Sequence, residues 1–159
     1  MHGRIFYPLA LWGVLAGLFV ACNSTTDVFE LRLGQAVFKV EVATTPTELA
    51  TGLMYRRQLA PDAGMLFVFS QPDFRQFWMK NTYLPLSIAF IDERGKVVDI
   101  QDMNPLDETI VESRRPALYA LEVNQGAFER YGVNIGDRMN VYELNEFLKR
   151  RAQQRADAR

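Results

Sequence analysis

Val28 to Leu33 alternates, with Phe29, Leu31 and Leu33 on one side and Glu30 and Arg32 on the other. After Gly34-Gln35 the alternation resumes, Phe38, Val40 and Val42 against Lys39 and Glu41. Two period-two runs around a Gly-x pair predict a β-hairpin. Thr45-Pro46-Thr47-Glu48 then supplies an N-cap, a proline at the first helical position and a glutamate three residues after the cap. A short helix is predicted from there to about Tyr55, with Leu49, Leu53 and Met54 as its buried stripe. Met65 to Phe69 is a continuous apolar run between Gly64 and Ser70-Gln71-Pro72-Asp73, which suits a strand buried on both faces. Further strands are predicted at Phe77 to Met79, Ser87 to Ile91, Val97 to Met103 and Tyr119 to Val123, with Asp92-Glu93-Arg94-Gly95 as a turn. Asn124 is expected to cap a short helix that Gly132 stops, and Arg138 to Tyr142 to form a last strand. Glu143 to about Arg155 reads as a C-terminal helix, its early acids and late Lys149, Arg150 and Arg151 matched to the helix dipole. The spacing is that of a mainly β single domain, a β-sandwich or small barrel with two short helices and a C-terminal helix, and not of βαβ units.

The N-terminal segment has a different pattern. After Arg4, residues Ile5 to Ala21 are uncharged and apolar, ending in Leu18-Phe19-Val20-Ala21-Cys22. This is the pattern of a secretory signal, residues 1–21, followed by a cysteine. A retained membrane helix is the second reading, at the lower limit of length and interrupted by Pro8. Ordinary signal peptidase favours small side chains one and three residues before its cut, and Phe19 is bulky. Leu18 to Cys22 instead resembles a bacterial lipobox, in which the Cys22 thiol takes diacylglycerol and the new amino terminus is acylated. Several acyl chains would hold the domain on the membrane, at about 0.8 kcal/mol per buried CH₂. Residues 22–27 then form a lipidated tether, 28–142 the β-rich domain and 143–159 the C-terminal helix and tail. Asn23 after the cysteine leans toward the outer membrane, with the domain on the periplasmic side.

Of 159 residues, 18 are basic and 19 acidic, so no general field attracts nucleic acid, and none is expected as a partner. Loss of Arg4 with the leader leaves 17 basic residues against 19 acidic, a net charge of −2. The same cut removes His2, the sole histidine, and lipidation would consume Cys22, the sole cysteine. Ser-His-Asp and Cys-His catalysis, and zinc or copper sites built on imidazole or thiolate, are thereby excluded from the processed chain. Carboxylates, lysine, tyrosine and hydroxyls remain.

Five strings are distinctive enough to identify a relative: Gly52-Leu53-Met54-x-Arg56, Gly64 to Phe69, Phe77-Trp78-Met79-Lys80-Asn81-Thr82, Pro85-Leu86, and Leu121-Glu122-Val123-Asn124-x-Gly126. Together, from about Phe29 to Tyr142, they resemble the domain-of-unknown-function family 192 of small bacterial and archaeal proteins. The resemblance implies a jelly-roll-like β-sandwich, often exported, and no established activity. Ser87 departs from the aspartate that the family often carries after Pro-Leu.

Candidate ligand-binding residues follow from side-chain types that packing alone does not favour. Lys80, Asn81 and Thr82 place an ammonium, an amide and a hydroxyl beside Trp78, suited to an aromatic platform for a small polar or carbohydrate ligand. The structural alternative keeps Trp78 and Met79 in the core, Asn81-Thr82 in a turn and Lys80 in solvent. Glu122 points away from Tyr119, Leu121 and Val123, so it lies outside the sheet or on the floor of a groove. If buried it requires a cation, for which Arg56 and Lys80 are the first candidates. Asp99 and Asp102 would have to join Glu122 in any carboxylate-type enzyme acting on envelope carbohydrate. Met54, Met65, Met79, Met103 and Met139 would serve Cu(I) only if several converged, and gap-filling is their commoner use. Lys149, Arg150, Arg151, Arg155 and Arg159 suit a solvated helix end or lipid head groups. The expectation is a lipid-anchored envelope module that binds a small ligand or an envelope protein without catalysis, holding no metal and no cofactor.

Overall fold

In the computed structural model, residues 27–157 are described. The leader, Cys22, most of the tether and Arg159 lie outside them. The domain is mainly β. Strands β1 (Val28–Leu33) and β2 (Ala36–Ala43) form the expected hairpin, with Leu33 opposite Ala36 across Gly34-Gln35. Gly34 has φ +60°, the backbone that the first position of such a two-residue turn demands. Helix α1 (Pro46–Thr51) is shorter than its apolar stripe suggested, because Gly52 leaves the helix at φ +50°, ψ −133°.

Beyond α1 the chain enters β3 (Ala63–Asp73), which pairs parallel to β2. The β2–α1–β3 passage is thus a crossover of the βαβ kind that strand spacing had argued against. The short helix is expected at this place, but a helix between two strands does not by itself say whether those strands pair side by side and in parallel. Four strands follow in chain order: β4 (Gln76–Phe77), β5 (Leu86–Ile91), β6 (Val97–Met103) and β7 (Val111–Glu112). Strand β8 (Ala117–Asn124) precedes helices α2 (Ala127–Arg130) and α3 (Val141–Asp157). The main sheet runs β1-β2-β3-β8-β5-β6, and β4 and β7 pair as a separate ribbon. It is an open sheet with sandwich-type layering and not a closed barrel.

Three local expectations are corrected. Residues 138–142 contribute two single bridges, Leu33 with Met139 and Lys96 with Arg138, which link the ends of the main sheet, and α3 has begun by Val141. Asn124 does not cap α2; the chain enters that helix through Gly126, and the Asn124 amide donates instead to the carbonyls of Leu59 and Ala60. The strand placed at Phe77 to Met79 ends at Phe77, since Met79 begins a turn closed by Thr82 N–H donating to its carbonyl at 3.0 Å.

Both faces of the sheet are covered. One carries Leu31, Phe38, Leu66, Leu121 and Val123, packed with α2 and with Leu144, Phe147 and Leu148 of α3. The other carries Met65, Phe67, Ile88, Phe90 and Ala120 beneath Leu49, Leu53, Phe77 and Met79. At the basic end of α3, Lys149 and Arg150 are solvated as expected, while Arg151 and the half-exposed Arg155 turn toward α1. Arg151 donates to the Val42 carbonyl, and both Arg151 and Arg155 reach Glu48 Oε1, at 3.0 and 2.9 Å. Glu48 also accepts from Thr44 and Thr45 N–H in the capping box of α1. Its desolvation opposes ionisation, but those amides and both guanidiniums prevail and hold the carboxyl down at about 2. One carboxylate thus ties α1 to α3.

Candidate functional site

Glu122 lies on β8, the strand between β3 and β5, opposite Met65 on one side and Ile88 on the other. Alternation puts it on the face away from α2 and α3, which turns the two readings of its orientation into one: it is the floor of a groove. The residue is 5% exposed. Above it, α1 and the Gly52–Met54 turn, the Phe69 and Phe77 rings, Trp78 and Thr82 enclose a cavity of about 210 Å³. Two glycines permit this arrangement. A Cβ on Gly64 would stand 2.4 Å from the Glu122 carbonyl, so only glycine lets β3 approach β8 here. A Cβ on Gly52 would stand 3.1 Å from the Phe67 ring and 3.9 Å from Glu122 Oε2.

The expected counter-ions are engaged elsewhere. Arg56 forms a two-pronged ion pair with Glu41, Nη2 donating to Oε2 at 2.8 Å, in a neighbouring depression that shares Thr51 and Gly52 with the cavity. Lys80 is exposed, its ammonium 4.9 Å from the centre of the Trp78 ring. Glu122 has neither an ion pair nor a side-chain hydrogen bond among the described residues, and desolvation alone pushes its carboxyl up to about 8. A carboxyl in that setting is neutral at pH 7.

The Trp78-Met79-Lys80-Asn81-Thr82 string divides between its two readings. Met79 is core and Lys80 solvated, as the structural alternative has it. Asn81 turns the chain at φ +55°, its amide donating to the Tyr55 hydroxyl at 2.9 Å while its carbonyl accepts from Tyr55 N–H at 2.8 Å. Trp78, in contrast, is 41% exposed at the cavity mouth, and Thr82 is a buried wall residue. Thr82, Trp78 and Glu122 therefore meet in one site, while Arg56, Lys80 and Asn81 border it without lining it.

The carboxylate partners proposed for an enzyme are absent from the cavity wall. Asp99, on the same face, is 1% exposed and engaged by Arg114 at 3.2 Å and by Gln101 at 2.8 Å. Asp102 falls on the opposite face, accepting from Ser87 Oγ at 2.5 Å. Ser87 in turn accepts from Gly126 N–H, so the hydroxyl at this position joins β6 to the start of α2. The methionines divide as well: Met139 packs under α3, whereas Met65, Met79 and Met103 fill the other core and Met54 lines the cavity. Among the described residues no group of three or more His, Cys, Asp or Glu could hold a metal.

Sequence reasoning missed Leu49, Phe67, Phe69, Gln76 and Phe77 as wall residues. Gln76 and Phe77 lie on the short β4–β7 ribbon, whose two-residue strands leave no period to detect. Phe77 packs edge-on to Phe67 and Phe90, at ring separations of 5.1 and 5.8 Å, and this fixes the ribbon over the main sheet.

A family model described as "Uncharacterized ACR", DUF192, matches residues 29–141. Two crystal structures are similar in fold and sequence. One, a proposed transcription regulator from Sinorhizobium meliloti 1021, is 43% identical with TM-score 0.69, over 72% of this chain and 94% of that one. The other, a protein of unknown function from Novosphingobium aromaticivorans DSM 12444, is 35% identical with TM-score 0.70, over 75% and 89%. No curated protein matches.

The neutral Glu122 makes a signed prediction about stability. Above its ordinary value of 4.5 the unfolded chain ionises this carboxyl, while the folded chain keeps the proton until about pH 8. Folding stability attributable to it therefore falls across that window. Glu122→Gln is expected to match the wild type near pH 4 and to exceed it at pH 8 by on the order of 2–5 kcal/mol, at about 1.4 kcal/mol per pK unit. Urea denaturation of both proteins from pH 4 to 8 checks this, and parallel pH profiles would contradict it.

Proposed function

On the premise that the chain belongs to the DUF192 family, which carries no assigned activity, we propose a non-catalytic binding or accessory module that admits a small polar ligand over Glu122. The observation carrying this reading is the unpartnered, 5% exposed carboxyl at the base of an open cavity. The carboxyl oxygens open on the cavity and are not sealed in the core, so a ligand entering there can supply the hydrogen bonds that no side chain supplies. The alternative, a histidine-free carboxylate enzyme, lacks its second carboxylate, since Asp99 and Asp102 are bound elsewhere. Transcription regulation, the description given to the Sinorhizobium meliloti relative, gains no support as nucleic-acid binding from the balance of 18 basic and 19 acidic residues.

The proposal includes a place of action: export, lipidation at Cys22 and residence on the periplasmic side of a bacterial membrane. Its support is the leader pattern ending in Leu18 to Cys22. With β1 starting at Val28, a lipid on Cys22 would hold the domain close to the bilayer. Its ligand would then be an envelope component.

Two measurements test the parts separately. In a thermal-shift screen of small sugars, peptides and amines, at least one compound is expected to stabilise the protein. That shift should vanish in Leu49→Phe, which fills the cavity from α1; a shift retained there, or none in the wild type, would contradict the site. For location, Cys22→Ser is expected to block processing or release the protein from membranes. An unprocessed wild-type chain with the variant equally membrane-bound would favour an N-terminal helical anchor.

A further inference from the structure

The polar groups in the cavity are unequal in what they still offer. Thr82 lines the cavity and has already given its hydroxyl proton, to the Lys80 carbonyl at 3.2 Å, which leaves its oxygen as an acceptor. Gln76, exposed at the rim, directs its amide away to Glu112 at 2.9 Å. Glu122 adds two oxygens and, among the described residues that line the cavity, is the one ionisable side chain. No lysine or arginine lines it. Aromatic rings form much of the remaining wall, and at the rim two of them already carry cations, Lys80 over Trp78 and the Arg75 guanidinium 4.0 Å over Phe69. Free acceptors, one acid and aromatic rings together complement a ligand that is rich in donors and positively charged.

Size narrows the class. At about 210 Å³ the cavity is smaller than the ~300–1,000 Å³ of sites that enclose drug-sized molecules. Leu49, Leu53, Met54 and Phe67 give it an apolar wall beside the carboxyl. We propose that the Glu122 cavity binds a primary ammonium ion carried on a short apolar chain. The ammonium takes the place of the missing counter-ion, donating to Glu122 and to Thr82 Oγ1, and the chain lies against the apolar wall. This deepens the binding-module reading and rests on it.

The free carboxyl holds a proton at neutral pH, so the step that balances is transfer of that proton to buffer as the ammonium binds, leaving a carboxylate–ammonium pair. The charged groups on the same face are Glu41, held by Arg56, and Asp99, held by Arg114, with Lys80 and Arg75 at the rim. Both acids are paired, and Glu122 is left as the group whose titration the ligand reads.

Calorimetric titration of the full chain at pH 7 tests the proposal, with butylammonium chloride as the cation, butyramide as its neutral counterpart and butyrate as its anionic one. Butylammonium is expected to bind about tenfold or more tighter than either, with release of close to ~1 proton, read from the dependence of heat on buffer ionisation. Glu122→Gln and Thr82→Val are each expected to weaken it, the former about tenfold. Butyramide binding as tightly as butylammonium, or unchanged affinity in Glu122→Gln, would overturn the ammonium class while leaving a ligand cavity in place. A wild type that ignores all three probes would overturn the ammonium class alone if a sugar or peptide still binds, and the binding reading with it if none does.

Discussion

A carboxyl group set in the middle of a sheet covered on both faces governs the rest of this structure. Strand β8 is flanked by β3 and β5, its Leu121 and Val123 face enters the core under α3, and its other face would be equally dry were it filled with apolar side chains. Glu122 takes one of those positions without a cation. Removing an ionised carboxylate from water is expensive enough that the group gives up its charge instead. Its neutrality and the cavity left above it are two sides of one fact, because close packing over the carboxyl would remove the only space from which a partner could reach it.

Backbone features at some distance maintain that space. Gly64 brings β3 against the Glu122 carbonyl, and Gly52 ends α1 so that the chain passes over Phe67 without closing the cavity. Glu48 fixes α1 from the other end, closing the capping box with Thr45 and anchoring Arg151 and Arg155 of α3. Arg151 and Arg155 of α3 and the apparent counter-ion Arg56 thus belong to the frame of the site, where they satisfy Glu48 and Glu41. With both bound, no positive group among the described residues lines the cavity over Glu122.

Much of the frame was legible because it follows local rules. Alternation in β1 and β2, the Thr45–Glu48 capping box and the C-terminal helix each rest on neighbouring residues, and each is present. What could not be read depends on contacts distant in the chain. The parallel pairing of β2 with β3 hides behind a six-residue helix, and the β4–β7 ribbon behind two-residue strands. Asn124 is a good cap by composition, yet the carbonyls of Leu59 and Ala60 claim its amide. In the site, Trp78, Thr82 and Glu122 stood out because such side chains are unusual there. Phe67 and Phe77 did not, since an aromatic wall residue looks like any core residue until the strands are placed. Arg56 was misassigned because charge complementarity without register cannot choose between Glu41 and Glu122.

The protonation state of Glu122 in the free protein is the point on which the site, its cavity and its ligand class converge. A carbon-13 NMR titration of the labelled Glu122 side-chain carboxyl, assigned by comparison with Glu122→Gln, measures it directly. The account predicts the chemical shift of a neutral acid through pH 7, with the transition near pH 8. A carboxylate shift by pH 5.5 would mean that Glu122 has water or a cation beside it, and would contradict the central claim.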